Sequence, residues 1–457
     1  MDFGIISVLP VLTILVIAVT TRRTLFAMTC GLTVAAIILG FKDGFMGMVD
    51  SWFNYMYVSM TSESLQWLIL IVAMFGMLIA MFEKSNAVMD FGVWASKFIK
   101  TKRQAMVGTV LLGAIIFIDD YLSNLATGTT MKGTTDRLGI PRTQLVYLVN
   151  CTAAPMCLLI PISSWAVYFG ELLEGQGVTY NGSGLGAYIH GLPFAFYAWI
   201  ILIIVILSAL GIMPKLGLIK KDYKRCEETG DVFPEGYEIE TLNEGEETEE
   251  TSNAKANPLN FLLPLAVMIV ISITVDVLYG ATAGLVAAII MYLIERRMTF
   301  YDALTTCFDG IMSMGFVFVL TVLAFAVQGA NLDLHLADYV ISVAEPIMNG
   351  GFLPVVVFMV CGIYAYCTGC FWDMAAIIIP IVIPLATAMG VDPIITGAAV
   401  FSGAALGSTT CLYGDGVILA SQATELKTIH TMLAILPYAA IAFGLSIIGY
   451  LICGFVM

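Results

Sequence analysis

Residues 114–130 read AIIFIDDYLSNLATGTT. An apolar run ends on two adjacent carboxylates, Asp119 and Asp120, and hydroxyl and amide side chains follow at once. In water this would be an ordinary helix end. The rest of the chain argues against water as its surroundings. Of 457 residues, 59% are apolar and only 12% charged, and the mean hydropathy is +0.93. A soluble domain carries about 25% charged residues, so too few charges are present to cover a soluble surface of this size. The chain is therefore read as an all-α polytopic membrane protein. Asp119 and Asp120 then lie at membrane depth, where a carboxylate costs about 2.5–3.5 kcal/mol to insert. A helix that ends at the interface would explain them without function, but an ionisable group inside a membrane marks function by default.

Working outward, a bilayer crossing takes about 20 apolar residues. Spans are expected at 3–20, 24–41, 63–83, 142–170, 190–212, 258–275, 279–294, 309–330, 393–421 and 430–456. Two further segments, 104–119 and 352–370, lead into polar or proline-containing stretches. They are read as entering the membrane and turning back through 120–138 and 371–391. Arg22 and Arg23 follow the first apolar run rather than precede it, so that run is a transmembrane helix and not a cleaved signal peptide. With the N-terminus outside, 18 of the 20 Lys and Arg face the cytoplasm. Lys42 falls outside, and Lys132 lies within the first hairpin. So lopsided a split supports the spans and both hairpins.

The 213–257 stretch holds 12 acids and 6 bases and is expected to be a largely disordered, cytoplasmic, acidic linker. The glycine-rich 171–189 stretch is expected to be a flexible outer connection. Cutting at the linker leaves 1–212 and 258–457, each with three plain helices, a hairpin (104–138 or 352–391), a broken helix (142–170 or 393–421) and a closing helix. One half starts outside and the other inside. Two inverted-topology repeats with re-entrant hairpins and broken helices recur in secondary transporters. A faint echo runs with this plan: Pro141 falls on Pro393 and Ser163 on Asp415 at an offset of 252, and Ala153-Ala154 sits against Ala404-Ala405.

Chemistry-bearing residues cluster in the hairpins and broken helices. Ser123 and Asn124 follow the aspartate pair. In NCTAAPMCLLIPISSW (150–165), Pro155 and Pro161 disturb the helix, with Asn150, Thr152, Ser163 and Ser164 beside the breaks. In the second half Asp373 precedes Pro380 and Pro384, which interrupt an apolar run. Ser408, Thr409 and Asp415 sit among Gly403, Gly407, Gly414 and Gly416. Carboxylate, carbonyl and hydroxyl oxygens suit a partly dehydrated hard cation. Asp119, Asp120, Asp373 and Asp415 are the expected ligands of a transported cation.

Other chemistries find little support. His190, His335 and His430 are far apart, so no zinc-protease motif exists, and no Walker A loop is present. Most cysteines lie in apolar runs and read as packing residues; Cys367 and Cys370 have no second pair or nearby His to make a metal site. In a soluble protein the net charge of −14 would argue against nucleic acid; here the charges are spread unevenly along the chain, and no nucleic-acid partner is expected.

The run FIDDYLSNLATGTTMKGTTDRLGIPRTQLVYLVNCTAAPMCLLIPISSW resembles the signature region of NhaC-type sodium/proton antiporters. The matching features are Asp119-Asp120-Tyr121, Asn124, Thr135-Asp136-Arg137, Thr152-Ala-Ala-Pro155 and Pro161-Ile-Ser-Ser-Trp165. Asn150 stands where family members usually carry an acid. The resemblance implies sodium/proton exchange with no cofactor besides the transported Na+ and H+, in a multi-pass protein of a bacterial plasma membrane. Relatives of that family move amino acids or small carboxylates with sodium, so a sodium-coupled organic solute is the alternative cargo. The implied partners are the bilayer and the transported ion or solute, and a homodimer is left open.

Overall fold

The computed structural model describes residues 3–21, 23–235, 257–336, 339, 342–343, 349–369, 371–412 and 414–456. Among the described residues there is no strand, only one isolated bridge between Tyr180 and Ser183. Helices follow one another almost without pause. The first are α1 (Leu9–Thr21), α2 (Thr24–Gly40), α3 (Gly44–Met60), α4 (Glu63–Lys84) and α5 (Ala87–Ser96). Then come α6 (Lys102–Ile115), α7 (Asp120–Arg137), α8 (Arg142–Leu159), α9 (Ser164–Glu174), α10 (Gly184–Gly191), α11 (Phe196–Ala209) and α12 (Gly217–Thr229). After residue 256 lie α13 (Leu259–Thr274), α14 (Val277–Ile294), α15 (Phe300–Ser313) and α16 (Gly315–Asp333). The last are α17 (Leu353–Thr368), α18 (Phe371–Ala388), α19 (Pro393–Thr410), α20 (Asp415–Ala423) and α21 (Thr428–Val456). Seven apolar helical segments are long enough to cross a bilayer, or nine if two bent pairs count as one span each. The molecule is an integral, multi-pass, all-α membrane protein.

Local sequence explains many of the boundaries. Ser62, Thr101, Asp119, Ser163, Asp276, Thr299 and Asp392 cap helix N-termini through their side chains, satisfying donors that membrane surroundings would leave unpaired. Small residues set the closest packing. Gly403 and Gly407 on α19 press against Cys361 and Ala365 on α17, and Gly76 on α4 against Gly310 on α15. A side chain at any of these would drive the helices apart, as in small-residue membrane interfaces generally.

Both expected hairpins turn back. Lys102 Nζ donates to the Gly139 carbonyl at 3.1 Å, closing the base of α6–α7. At the base of α17–α18, a Cβ on Gly350 would lie 3.0 Å from the Met389 carbonyl oxygen.

Several expectations are corrected. The 142–170 segment is broken as expected, into α8 and α9 bent by 44°, but 190–212 belongs to the pair 184–194 and 196–209, bent by 54°. The 309–330 span is two helices, α15 and α16, parted at Met314. Pro380 and Pro384 do not interrupt α18, which runs through both; neighbouring helices tolerate proline in membrane spans. Helix α3 was not anticipated. Its Tyr55 hydroxyl donates to Asp333 at the end of α16, at 2.6 Å. The 171–189 connection is built rather than loose: the Gly184 N–H donates to the Glu174 carboxylate at 2.6 Å, and α10 follows at once.

The start of the acidic linker is also folded. Helix α12 buries Ile219, Tyr223 and Cys226 on one face, the spacing of an amphipathic helix. Buried Asp222 accepts from the Thr143 hydroxyl at 2.8 Å, and the Arg142 N–H donates to the Val232 carbonyl at 2.9 Å. The rest of the linker, 236–256, lies outside the described residues.

Helices α8 and α19 are each 18 residues long, and each is followed by a four-residue break, 160–163 or 411–414. They start at Arg142 and Pro393, an offset of 251. The register is therefore one residue shorter than expected: Ser164, not Ser163, occupies the place of Asp415, each the first residue of its second helix.

Candidate functional site

The two breaks meet near the tip of the first hairpin. The Ser164 N–H donates to the Ile118 carbonyl at 3.1 Å, and the Cys157 thiol to the Phe117 carbonyl at 3.0 Å. These bonds pin the tip to the α8–α9 break. From the other side, the Tyr121 hydroxyl donates to Asp415 at 2.9 Å, tying α7 to the start of α20. Trp165 stacks on Phe371 with ring centroids 4.8 Å apart, and the Tyr168 hydroxyl donates to the Trp372 carbonyl at 3.0 Å. The start of α18 thus reaches the same neighbourhood.

The two adjacent carboxylates have different surroundings. Asp119 is the N-cap of α7. One of its oxygens accepts from the Tyr121 and Leu122 N–H groups at 2.9 and 3.1 Å, and the other from Ser164 at 3.4 Å. A helix N-terminus favours a carboxylate there. Asp120 is fully buried. Its Oδ1 accepts from the Trp165 indole N–H at 3.0 Å, but Oδ2 meets no donor among the described residues. No described basic side chain forms an ion pair with Asp119, Asp120 or Asp415.

More unpaired polar atoms lie on α7 and beside the second break. Asn124 has neither amide atom paired, and the Thr127 hydroxyl is unpaired. Residues 120, 124 and 127 share one face of α7 by helical spacing. Asn150 donates through Nδ2 to the Thr409 carbonyl at 2.9 Å, while its Oδ1 and the Ser408 hydroxyl stay unpaired. Both flank Gly416, where a Cβ would come within 3.3 Å of Asn150 Oδ1 and 3.1 Å of Ser408 Oγ. The bare glycine keeps space open beside these oxygens. Native interiors leave few buried polar atoms unsatisfied, so this concentration is the site's distinguishing feature.

Other expected site residues are occupied structurally. Thr152 donates to the Leu148 carbonyl at 2.6 Å, and Ser123 to the Gly113 carbonyl at 3.2 Å. Ser163 caps α9 by accepting from the Ala166 N–H and donates to the Cys157 carbonyl. Thr409 bonds the Ala405 carbonyl at 2.9 Å and the Tyr197 hydroxyl at 2.8 Å. Ser164 is spent on Asp119. The Asp373 side chain lies outside the described residues. Nor do the expected carboxylates form one shell: no three His, Cys, Asp or Glu side chains converge among the described residues. A cation bound here would rest on a mixed set of carboxylate, amide and hydroxyl oxygens, a donor set suited to hard cations.

Sequence reasoning missed a charge network at the far end of α7. Arg142 is buried and grips Asp136 through two nitrogens at 2.7 and 2.6 Å. Its third nitrogen donates to the Thr424 carbonyl at 2.7 Å and to Glu425 at 3.4 Å. Lys132 holds the other Glu425 oxygen at 2.5 Å. Almost 300 residues separate Lys132 from Glu425, and no local pattern signals the pair. Burial pushes Glu425 upward, but the Lys132 ammonium and Arg142 guanidinium more than offset it and hold the carboxyl below its ordinary range. Its contribution to stability is full above the ordinary value of 4.5 and is lost as pH falls through the lowered one. Melting of Glu425→Gln against wild type should show a gap that is constant near neutrality and closes in acid. A gap independent of pH would show that the carboxylate charge is not what stabilises the turn.

Comparison with known proteins gives a concordant answer. An uncharacterised protein of Haemophilus influenzae is 24% identical over 485 aligned positions, covering 98% of this chain and 91% of that protein. The crystal structure of the Alcanivorax borkumensis YdaH transporter matches with a TM-score of 0.63 over 95% of this chain and 97% of that one. At 13% identity that likeness is one of fold. The family model described as the Na+/H+ antiporter family matches residues 156–455, from within α8 to near the end of α21. With roughly two thirds of its length inside that match, the chain belongs to the Na+/H+ antiporter family and is a secondary transporter.

Proposed function

We propose that the chain exchanges Na+ for H+ across a bacterial plasma membrane, the two ions taking turns at carboxylates between the breaks. The observation that carries this reading is Asp120 Oδ2, fully buried with no donor and no basic partner among the described residues. A buried ionised carboxylate is costly unless paired. Either a proton or a cation removes the cost, and one atom cannot take both. Mutual exclusion at a single oxygen is the minimum that exchange requires. Asn124, Thr127, Asn150 and Ser408 would complete the sodium shell with their unpaired oxygens. Asp415, exposed and bonded to Tyr121, would pass ions between this oxygen and water. Asp119, which caps α7, would set the position of Asp120.

The movement that alternates access is assigned to two inverted repeats, 1–212 and 258–457, rocking about this centre, with the 213–257 linker on the cytoplasmic side. The matched lengths of α8 and α19, and of the breaks that follow them, support the repeat. So does the way each hairpin reaches the other half: α7 packs along α20, and α18 meets α9.

The test is flux in proteoliposomes with a pH-sensitive dye inside. A sodium pulse alone should shift lumenal pH, with no organic solute present. A response that requires an added amino acid or carboxylate would replace this reading with sodium-coupled solute transport through the same architecture.

A further inference from the structure

Beside α6, away from the two breaks, lies a cavity of about 750 Å3. Its walls are apolar: Phe91, Trp94, Phe98, Ile99, Val107 and Leu111 are among the lining residues. Phe98 and Leu111 are exposed, so the space is open to the molecule's periphery. Its volume falls in the range of about 300–1,000 Å3 typical of small-ligand pockets.

One end of this groove is strongly basic. Lys97, Lys100, Lys102 and Arg103 fall within seven residues, and no Asp or Glu occurs from 91 to 118. Lys97, Lys100 and Arg103 are exposed and form no ion pair among the described residues. Arg103, Thr101 and Gln104 line the cavity itself. Trp94 and Phe98 pack edge to face, with centroids 5.2 Å apart, beside the basic residues. Aromatic residues of this kind settle at the headgroup level of a bilayer, and basic pockets at that level bind acidic headgroups.

We propose that this groove is a binding site for an anionic phospholipid. An acyl chain would lie along the Val107–Leu111 face of α6, and the phosphate would sit at Arg103 and Lys100. Charge complementarity selects this occupant, because a neutral lipid would leave Arg103 at the groove and the exposed lysines next to it in sequence, Lys97 and Lys100, uncompensated. The groove also touches the transport machinery, since Met131 of α7 lines it. A lipid here would brace the hairpin that carries Asp119 and Asp120, whichever solute the protein moves.

Native mass spectrometry of the purified, delipidated full-length protein tests this. Wild type should bind dioleoylphosphatidylglycerol at least about tenfold more tightly than dioleoylphosphatidylcholine, the preference expected of a cluster of exposed basic residues. The double variant Lys100→Gln/Arg103→Gln should lose most of that preference while melting as wild type does. Val107→Trp, which fills the groove, should lower occupancy by both lipids. Equal binding of the two lipids to wild type would overturn the proposal. So would a preference that survives removal of both charges, or a dimer in which a second copy covers this face.

Discussion

Asp120→Asn is expected to abolish coupled sodium and proton flux while leaving thermal stability unchanged or raised. The amide keeps an oxygen for the Trp165 N–H, so the α7–α9 contact survives. What disappears is the negative charge at an oxygen that meets no donor among the described residues. A buried carboxylate without a cationic partner contributes nothing favourable to the resting fold, and residues kept for function at the expense of stability often behave this way on substitution. Flux with and without a sodium gradient, measured beside the melting temperature, checks both halves of the expectation. A variant that melts early yet transports would make Asp120 a structural residue. Asp415→Asn provides the companion test: it should also stop flux, although the Tyr121 bond can persist to the amide oxygen.

The second large effect is expected at Arg142. Its guanidinium binds Asp136, the Thr424 carbonyl and Glu425 at once. Arg142→Met would leave two carboxylates and a carbonyl facing one another. Breaking a buried pair costs about 3–5 kcal/mol, and partial water access to both carboxylates places this case at about 3 kcal/mol. Arg142→Lys should recover only part of the loss, because an ammonium cannot reproduce the two-pronged grip on Asp136. Chemical or thermal unfolding in detergent reads both variants. If methionine proved harmless, the network would be surface decoration.

The sequence made the membrane environment, both hairpins and both broken helices readable, because apolar length, paired aspartates, Pro161 and the Gly414–Gly416 segment are local signals. It did not separate hydroxyls that are free from those that are spent. Thr152, Ser163 and Thr409 look like ligands on paper, but a threonine or serine in a helix readily bonds the carbonyl four residues back, and a serine at a break is a natural cap. Which oxygens remain unpaired depends on what comes near from 250 residues away. The Arg142 network stayed hidden for the same reason. Helices α3 and α12 were missed on different grounds: α3 carries Asp50, Ser51 and Asn54 and so fails the test for an apolar span, and α12 reads as charged linker unless its buried face is counted separately.

The contacts that assemble the site join distant parts of one chain: Tyr121 to Asp415, Asn150 to Thr409, Tyr197 to Thr409 and Tyr168 to Trp372. Covalent continuity between Glu235 and Asn257 supplies none of them. The protein is in this respect a heterodimer that happens to be written as a single polypeptide. A nick or an inserted tag within 236–256 would leave every one of these bonds in place, and two co-expressed fragments divided there would find each other through the same surfaces.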